Sequence, residues 1–288
     1  MDISFYGAAR HVTGSCFLLQ VKEVQLLIDC GLAQGNDERI QGDTLPFKAE
    51  NIDYMLLTHA HIDHSGRIPL LVKEGFRGPI YATEATRELC EIMLADSAHI
   101  QEMEAEWKNR KQRRAGKATV EPLYTTRDAQ DAMQQFVGVD YDTVLELTPH
   151  ISVRFFDAGH LLGSASIEIS IEEDGERKTV VFSGDIGNFD QPLINDPHYP
   201  HVADYVVVES TYGDRLHGGT GTGKPGSQKA TTAARAQDLA DIITDTFARG
   251  GNVVIPAFAV GRTQEILYFL QYMMAHKLNG LTHVPVFV

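Results

Sequence analysis

Cysteine is scarce in this chain. Cys16, Cys30 and Cys90 are its three, an odd number without metal-type spacing, which counts against a disulfide framework and favours reduced core thiols. Long apolar runs are missing, and Met1-Asp2-Ile3-Ser4-Phe5 lacks the basic start and apolar core of a signal peptide, so neither a membrane span nor an export signal is expected. Positive charge is also short: 25 Lys and Arg stand against 39 Asp and Glu, a formal net charge of −14, which argues against a general basic surface for nucleic acid. What remains is a globular, cytoplasmic reading. With 288 residues, 43% of them hydrophobic, the chain can bury a substantial core in one large domain or two ordinary ones.

Against this background one stretch stands out: Thr58-His59-Ala60-His61-Ile62-Asp63-His64-Ser65-Gly66, directly after the apolar run Tyr54-Met55-Leu56-Leu57. A buried strand ending at a polar turn would deliver these groups, and period-two alternation points His59 and His61 to the same side. Asp63 and His64 fall after the turn and cannot share that face, which suggests a second ion beside the first. Any one of these histidines alone reads as a surface residue. Together they need a compensating partner, and imidazole with carboxylate suits zinc or manganese.

The first third reads as strands at Ile3–Tyr6, Ser15–Val21 and Val24–Asp29, broken at Gly7 and Gly14. Asp29 at a strand end is either a turn former or an acceptor that orients a metal-ligating histidine. A short helix is expected from Ile68 to Gly75 and a strand at Ile80–Ala82. Thr83 then caps a helix from Glu84 to Ala95. The polar stretch from Gln101 to Lys117, with Trp107 in its middle, has too little apolar periodicity for a core helix and is expected to be an exposed excursion near the site. Within it, Lys108 to Arg114 and then Lys117 form a positive run, commonly a solvated face and alternatively a phosphate contact.

Strands ending on polar residues recur at Val153–His160, Val180–Asp185 and Tyr205–Glu209, the way a sheet builds a site at one edge. His217 to Pro225 nearly spells a phosphate-binding loop, but Pro225 occupies the position that needs a hydroxyl, so a flexible loop is expected. Beyond it a helix through Leu239, Ile242, Ile243 and Phe247, a strand Val253–Ile255, a helix from about Gly261 to Lys277 and a strand-like Val284–Val288 suggest a β-α-β unit opening a second domain. The chain stops in mid-strand, which reads as a fragment. Gly261-Arg262-Thr263 opens a helix, where Arg262 and Thr263 are either phosphate contacts or ordinary capping residues.

These motifs together resemble the metallo-β-lactamase-fold β-CASP ribonucleases related to the cleavage subunit of mRNA 3′-end processing. The resemblance rests on Gly7-Ala8-Ala9, Val12-Thr13-Gly14-Ser15-Cys16, Asp29-Cys30-Gly31 and His59 to His64. It continues through Gly159-His160 with Leu162-Gly163-Ser164-Ala165, Ser183-Gly184-Asp185-Ile186-Gly187 and Glu209-Ser210-Thr211-Tyr212-Gly213. It implies an α/β protein: an αββα metallo-β-lactamase sandwich over residues 1–209, incomplete here, and the start of an inserted β-CASP domain over 210–288. It also implies that His59, His61 and His160 hold one zinc, that Asp63 and His64 hold the other, and that Asp185 bridges them, with Asp29 behind the ligands. Glu209 would orient a general-acid histidine expected after residue 288.

The implied activity is phosphodiester hydrolysis by a two-metal-activated hydroxide, with RNA, single-stranded, as partner, DNA as the minor option and no membrane. The fragment is expected to bind one zinc better than the other and to be inactive alone. A homodimer is one option for the oligomeric state. Two rivals remain: a small-molecule hydrolase of the same fold, and a non-catalytic scaffold subunit of a processing complex.

Overall fold

Neighbouring residues of the early strands face two different cores, which is why those strands read as unbroken apolar runs. The computed structural model describes residues 1–200, 202–214 and 232–288, and the glycine-rich stretch from His217 to Pro225 lies outside the described residues. The chain divides into two compact units: Met1–Phe189 with Asn195–Thr211, and Asp190–Ile194 with Tyr212–Val288.

In the first unit a six-stranded sheet runs in the order β1 (Asp2–Gly7), β2 (Cys16–Val21), β3 (Val24–Ile28), β4 (Tyr54–Leu56), β5 (Ile80–Thr83), β6 (Phe136–Val139). The first three strands pair antiparallel, and β3 to β6 pair parallel. Parallel neighbours need crossovers, and helices supply them: α1 (Glu38–Gln41), α2 (Ile62–Ser65), α3 (Ile68–Lys73), α4 (Glu84–Arg114) and α5 (Thr126–Met133). A second sheet orders β7 (Leu145–Thr148), β8 (Ile151–Asp157), β9 (Ala165–Glu173), β10 (Glu176–Phe182) and β11 (Tyr205–Val207), antiparallel except for the parallel pair β10–β11.

Alternation then sorts the side chains. Leu19, Leu26, Ile28 and Leu56 face the second sheet and pack with Val153, Phe155, Ile167, Ile169 and Phe182. Their neighbours Leu18, Leu27, Met55 and Leu57 face the helices and pack with Ile68, Leu71, Cys90, Leu94 and Ala129. Each such side chain contributes roughly 1.5–3 kcal/mol by burial, so both layers of the sandwich are held chiefly by apolar contact. On the far side of the second sheet Arg154 pairs with Glu168 at 2.7 Å, as suits a polar face.

Three expectations need correction. The helix capped by Thr83 does not stop near Ala95; α4 runs 31 residues to Arg114 and takes in the polar stretch. Its last turns are supported without a core, by the pairs Glu104–Lys108 and Glu106–Arg110 at helical spacing. Asn109 adds a clamp, donating to the Val120 carbonyl at 2.9 Å and accepting from the Val120 amide at 2.7 Å. Second, β6, β7 and α5 were not anticipated, although Thr125 and Asp128 form a reciprocal capping box at the start of α5.

The third correction concerns the second unit. Its two helices, α6 (Thr232–Ala248) and α7 (Arg262–Ala275), pack through Ala240, Ile243, Leu270 and Met273, but Val253–Ile255 and Val284–Val288 are not strands. A strand exists only by pairing, and neither segment has a ladder partner among the described residues. The expected β-α-β unit is therefore a helix pair. No helix among the described residues is long and apolar enough to cross a membrane.

Candidate metal centre

Strand ends of both sheets in the first unit deliver the polar groups. Asp29 follows β3, Thr58 to His61 follow β4, Asp63 and His64 sit on the short helical turn α2, His160 follows β8, Asp185 follows β10 and Glu209 follows β11. Asp29 is 1% exposed and takes a left-handed backbone, φ 57°, which turns its carboxylate back under the Thr58 loop. There it accepts from the Thr58 amide at 2.8 Å, the Thr58 hydroxyl at 2.9 Å and Nδ1 of His64 at 2.8 Å.

This network orients two histidines. The Thr58 hydroxyl is spent on Asp29, so Oγ1 accepts from Nδ1 of His59, 3.1 Å away, and leaves Nε2 of His59 as a lone-pair donor facing the centre. There Nε2 of His59 lies 3.1 Å from Nδ1 of His61, and Nε2 of His160 lies 3.3 Å from the same atom. Burial pushes all three imidazoles below their ordinary value, His61 to about 4, with the neighbouring histidines adding to it and Asp185 opposing it at His61 and His160. A neutral imidazole can share one N–H with a neighbour at these distances, whereas a cation set among the three rings would take a lone pair from each.

The spacing suits one. A four-coordinate ion with nitrogen arms of about 2.0–2.1 Å has ligand-to-ligand edges of about 3.3–3.4 Å. Asp185 supplies the fourth group: its Oδ2 is 3.8 Å from Nε2 of His59 and 3.4 Å from Nε2 of His160. One donor atom from each of His59, His61, His160 and Asp185 falls within 4.8 Å of the others, a donor set for a divalent metal ion.

The other oxygen of Asp185 faces the other way. Its Oδ1 is 3.2 Å from Nε2 of His64, which also lies 4.0 Å from Oδ2 of Asp63 and 3.4 Å from the Ser15 hydroxyl. Burial alone would lower His64, yet the charge of Asp29 and hydrogen bonds to Asp185 and Asp29 hold it well above the imidazole range. Asp185 is held low against its own burial, first by the hydrogen bond to His64. Asp63 is raised by burial, with His64 opposing. Asp185 thus stands between two groups, His59, His61 and His160 on one side and His64 with Asp63 on the other.

The loops carrying these groups press backbone on backbone. A Cβ on Gly187 would land on the Gly159 carbonyl beside His160, and one on Gly31 would land on the Asp63 carbonyl, so only glycine allows these approaches. Several residues of this scaffold had no role assigned from sequence. Ser164 Oγ accepts from the amides of His160 at 3.1 Å and Leu161 at 3.0 Å, and Ser183 Oγ accepts from the Glu209 amide at 3.0 Å. Thr58 and Ser15 complete this set. Each lies inside one of the sequence motifs, so position is the one signal the sequence carries for it.

Glu209 does not reach the nitrogen cluster by hydrogen bond; Oε1 accepts from the Ile186 amide at 2.6 Å and Oε2 from the Thr211 hydroxyl at 3.0 Å. It therefore latches the turn that carries Asp185. Arg262 and Thr263 belong to the second unit and have partners there, Glu265 at 2.7 Å for Arg262 and the Phe258 carbonyl at 2.6 Å for the Thr263 hydroxyl. A phosphate at Arg262 would have to compete with Glu265.

The chain is 38% identical over 278 residues to Ribonuclease TTHA0252 of Thermus thermophilus, covering 96% of this chain and 56% of that protein. It is 33% identical over 292 residues to Transcription termination factor FttA of Methanosarcina mazei, covering 99% of this chain and 41% of that one. The chain thus spans about half the length of the curated relatives it matches. Among solved structures, MEM-A1, a subclass B3 metallo-β-lactamase isolated from a soil metagenome library, is similar with a TM-score of 0.38 and 19% identity, over 62% of this chain and 59% of that one. The profile of the Metallo-beta-lactamase superfamily matches residues 9–243, and the chain, with its histidine and aspartate cluster at the strand ends of two packed sheets, belongs to that superfamily.

Proposed function

We propose that this chain carries the metal centre of a zinc-dependent RNA-processing nuclease, with residues from about 210 onward opening a β-CASP domain. The observation that carries the proposal is the placement of Asp185, one carboxylate oxygen toward His59 and His160 and the other toward His64. A carboxylate so placed suits two ions, one held by His59, His61 and His160, the other by Asp63 and His64, with Asp185 on both. Zinc fits the nitrogen spacing, and manganese is the alternative. Ribonuclease among the relatives' names supports RNA as substrate, single-stranded where it must lie along an open strand-end rim, with DNA as the lesser option. The buried, unpaired thiols suit a reducing cytoplasm.

When bound, the two ions would supply a water that ionises near neutral pH and would screen the charge of a phosphodiester. The protein's own groups do the rest. Asp29 engages Nδ1 of His64 and Thr58 engages Nδ1 of His59, so Nε2 of each ring is the atom turned inward. Asp63, whose Oδ2 lies 4.0 Å from Nε2 of His64, is the carboxylate we assign to take the proton of the attacking water. Glu209 holds the Asp185 turn through the Ile186 amide and is available to orient a proton donor to the leaving oxygen.

The test is a competition among RNA, DNA, a thioester and a β-lactam, using the zinc-loaded full-length protein in one turnover assay. RNA is expected to turn over fastest. Fastest turnover of the thioester or the lactam would replace the nuclease with a small-molecule hydrolase, and no turnover with full metal occupancy would favour a scaffold.

A further inference from the structure

Helix α4 joins the metal centre at one end and carries the protein's positive charge at the other. At its start the hydroxyls of Thr83 and Thr86 both donate to the Gly163 carbonyl, at 2.6 and 2.8 Å, in the loop that follows His160. From Thr86 to Trp107 is about 32 Å along the axis, and to Arg114 about 42 Å, at roughly 1.5 Å per residue.

The far end is two-faced. Ala105 is buried and Asn109 and Gln112 are half-buried, with Asn109 clamped to Val120, so this face packs against the chain. Trp107, Arg110, Lys111 and Arg114 recur at i, i+3, i+4 and i+7 and are all exposed, Trp107 at 62%. The Lys111 ammonium lies 5.7 Å from the centroid of the indole. Lys108 and Arg110 pair with glutamates one turn back, but Lys111, Arg113, Arg114 and Lys117 meet no carboxylate among the described residues. In a chain of net charge −14, a cluster of unpaired cations around an exposed indole favours a polyanion with planar rings.

We propose that the stripe Trp107, Arg110, Lys111 and Arg114 is a binding track for single-stranded RNA, distinct from the metal centre, stacking one base on Trp107 and neutralising phosphates with Lys111 and Arg114, while Arg110 contributes only in competition with Glu106. The proposal rests on the nuclease reading for its ligand. At about 3.4 Å per nucleotide in a stacked strand, an RNA of about four nucleotides reaches the metal centre alone, and one of about twenty spans both.

The experiment compares the zinc-loaded full-length protein with Trp107→Ala and with the double variant Lys111→Ala, Arg114→Ala, all exposed positions whose loss leaves the fold intact. Anisotropy reads affinity for a cleavage-resistant RNA of about twenty nucleotides at several salt concentrations, and turnover is read on an RNA of about four. The expected result is about tenfold weaker binding for Trp107→Ala and a salt slope smaller by about 1.4 for the double variant, with short-substrate turnover unchanged. Unchanged affinity and slope in variants of a parent that binds and cuts RNA overturn the track and leave the nuclease standing. A parent that neither binds nor cuts RNA overturns both. Polyglutamate bound as tightly as RNA overturns the track in favour of an acidic protein surface.

Discussion

Oδ2 of Asp29 lies 2.8 Å from Nδ1 of His64, and this contact fixes which edge of the imidazole faces Asp185. With Nδ1 committed, Nε2 is the atom left for a ligand. The same carboxylate holds the Thr58 loop, so one buried charge sets the position of ligands on two successive segments.

Replacing Asp29 by Asn tests this without disturbing the backbone, because asparagine tolerates the left-handed φ of 57° and keeps an acceptor for the Thr58 amide. Metal affinity of Asp29→Asn, measured by competition with a chelator, is expected to fall about 10- to 100-fold while the far-ultraviolet spectrum is unchanged. Parent-like affinity would show that the charge of Asp29 is not needed.

Nδ1 of His61 lies 3.1 Å from Nε2 of His59 and 3.3 Å from Nε2 of His160, so replacing His61 should take one proposed ligand from the metal-loaded protein. Zinc at about 100 times its dissociation constant should stabilise the parent by about 2.7 kcal/mol, and chelation should reverse this. In His61→Ala the metal-dependent rise in melting temperature should largely disappear. Equal zinc content in the two would contradict the site.

Glu209 separates two roles by substitution. Gln keeps an acceptor for the Ile186 amide and Ala does not. Glu209→Gln should hold metal as the parent does while losing turnover, and Glu209→Ala should also bind metal about tenfold more weakly because the Asp185 turn is released. The same metal content in both variants would leave the latch without consequence.

A pH effect is expected at the edge of the centre. Asp37 accepts from the Thr13 amide at 3.2 Å and its hydroxyl at 3.0 Å, and these bonds hold its carboxyl below the usual range. A carboxylate depressed on folding contributes stability that is complete above its unfolded value, about 3.9, and is lost as pH falls through the folded one. Protection of the Thr13 amide from hydrogen exchange should therefore be steady from about pH 7 to 5 and drop below about 4. In Asp37→Asn it should already be low at neutral pH, and identical protection profiles would dismiss the latch.

The histidine cluster was legible because its chemistry is local: His59 and His61 alternate on extended chain, and Asp63 and His64 follow in the next turn. The strand ends at Asp29, His160, Asp185 and Glu209 were legible for the same reason, each closing an apolar run. Thr58, Ser15, Ser164 and Ser183 were not, because a hydroxyl's role depends on what folding brings to it from another segment. The last turns of α4 were missed because Asn109 and two charge pairs replace the apolar stripe that normally announces a helix. Val253–Ile255 misled in the opposite direction: it has strand-like composition, but composition does not supply the neighbour that makes a strand.

The two sheets meet through an apolar core and again at their rims, where the Ala165 amide donates to the Thr58 carbonyl at 2.8 Å. The candidate ligands come from both sides of that seam, His59, His61, Asp63 and His64 from the first sheet and His160 and Asp185 from the second. An ion held there acts as a rivet between the layers. Metal binding and cohesion of the sandwich should then be linked, so a cavity opened at Leu19, in the core between the sheets, should lower the melting temperature and added metal should recover part of the loss.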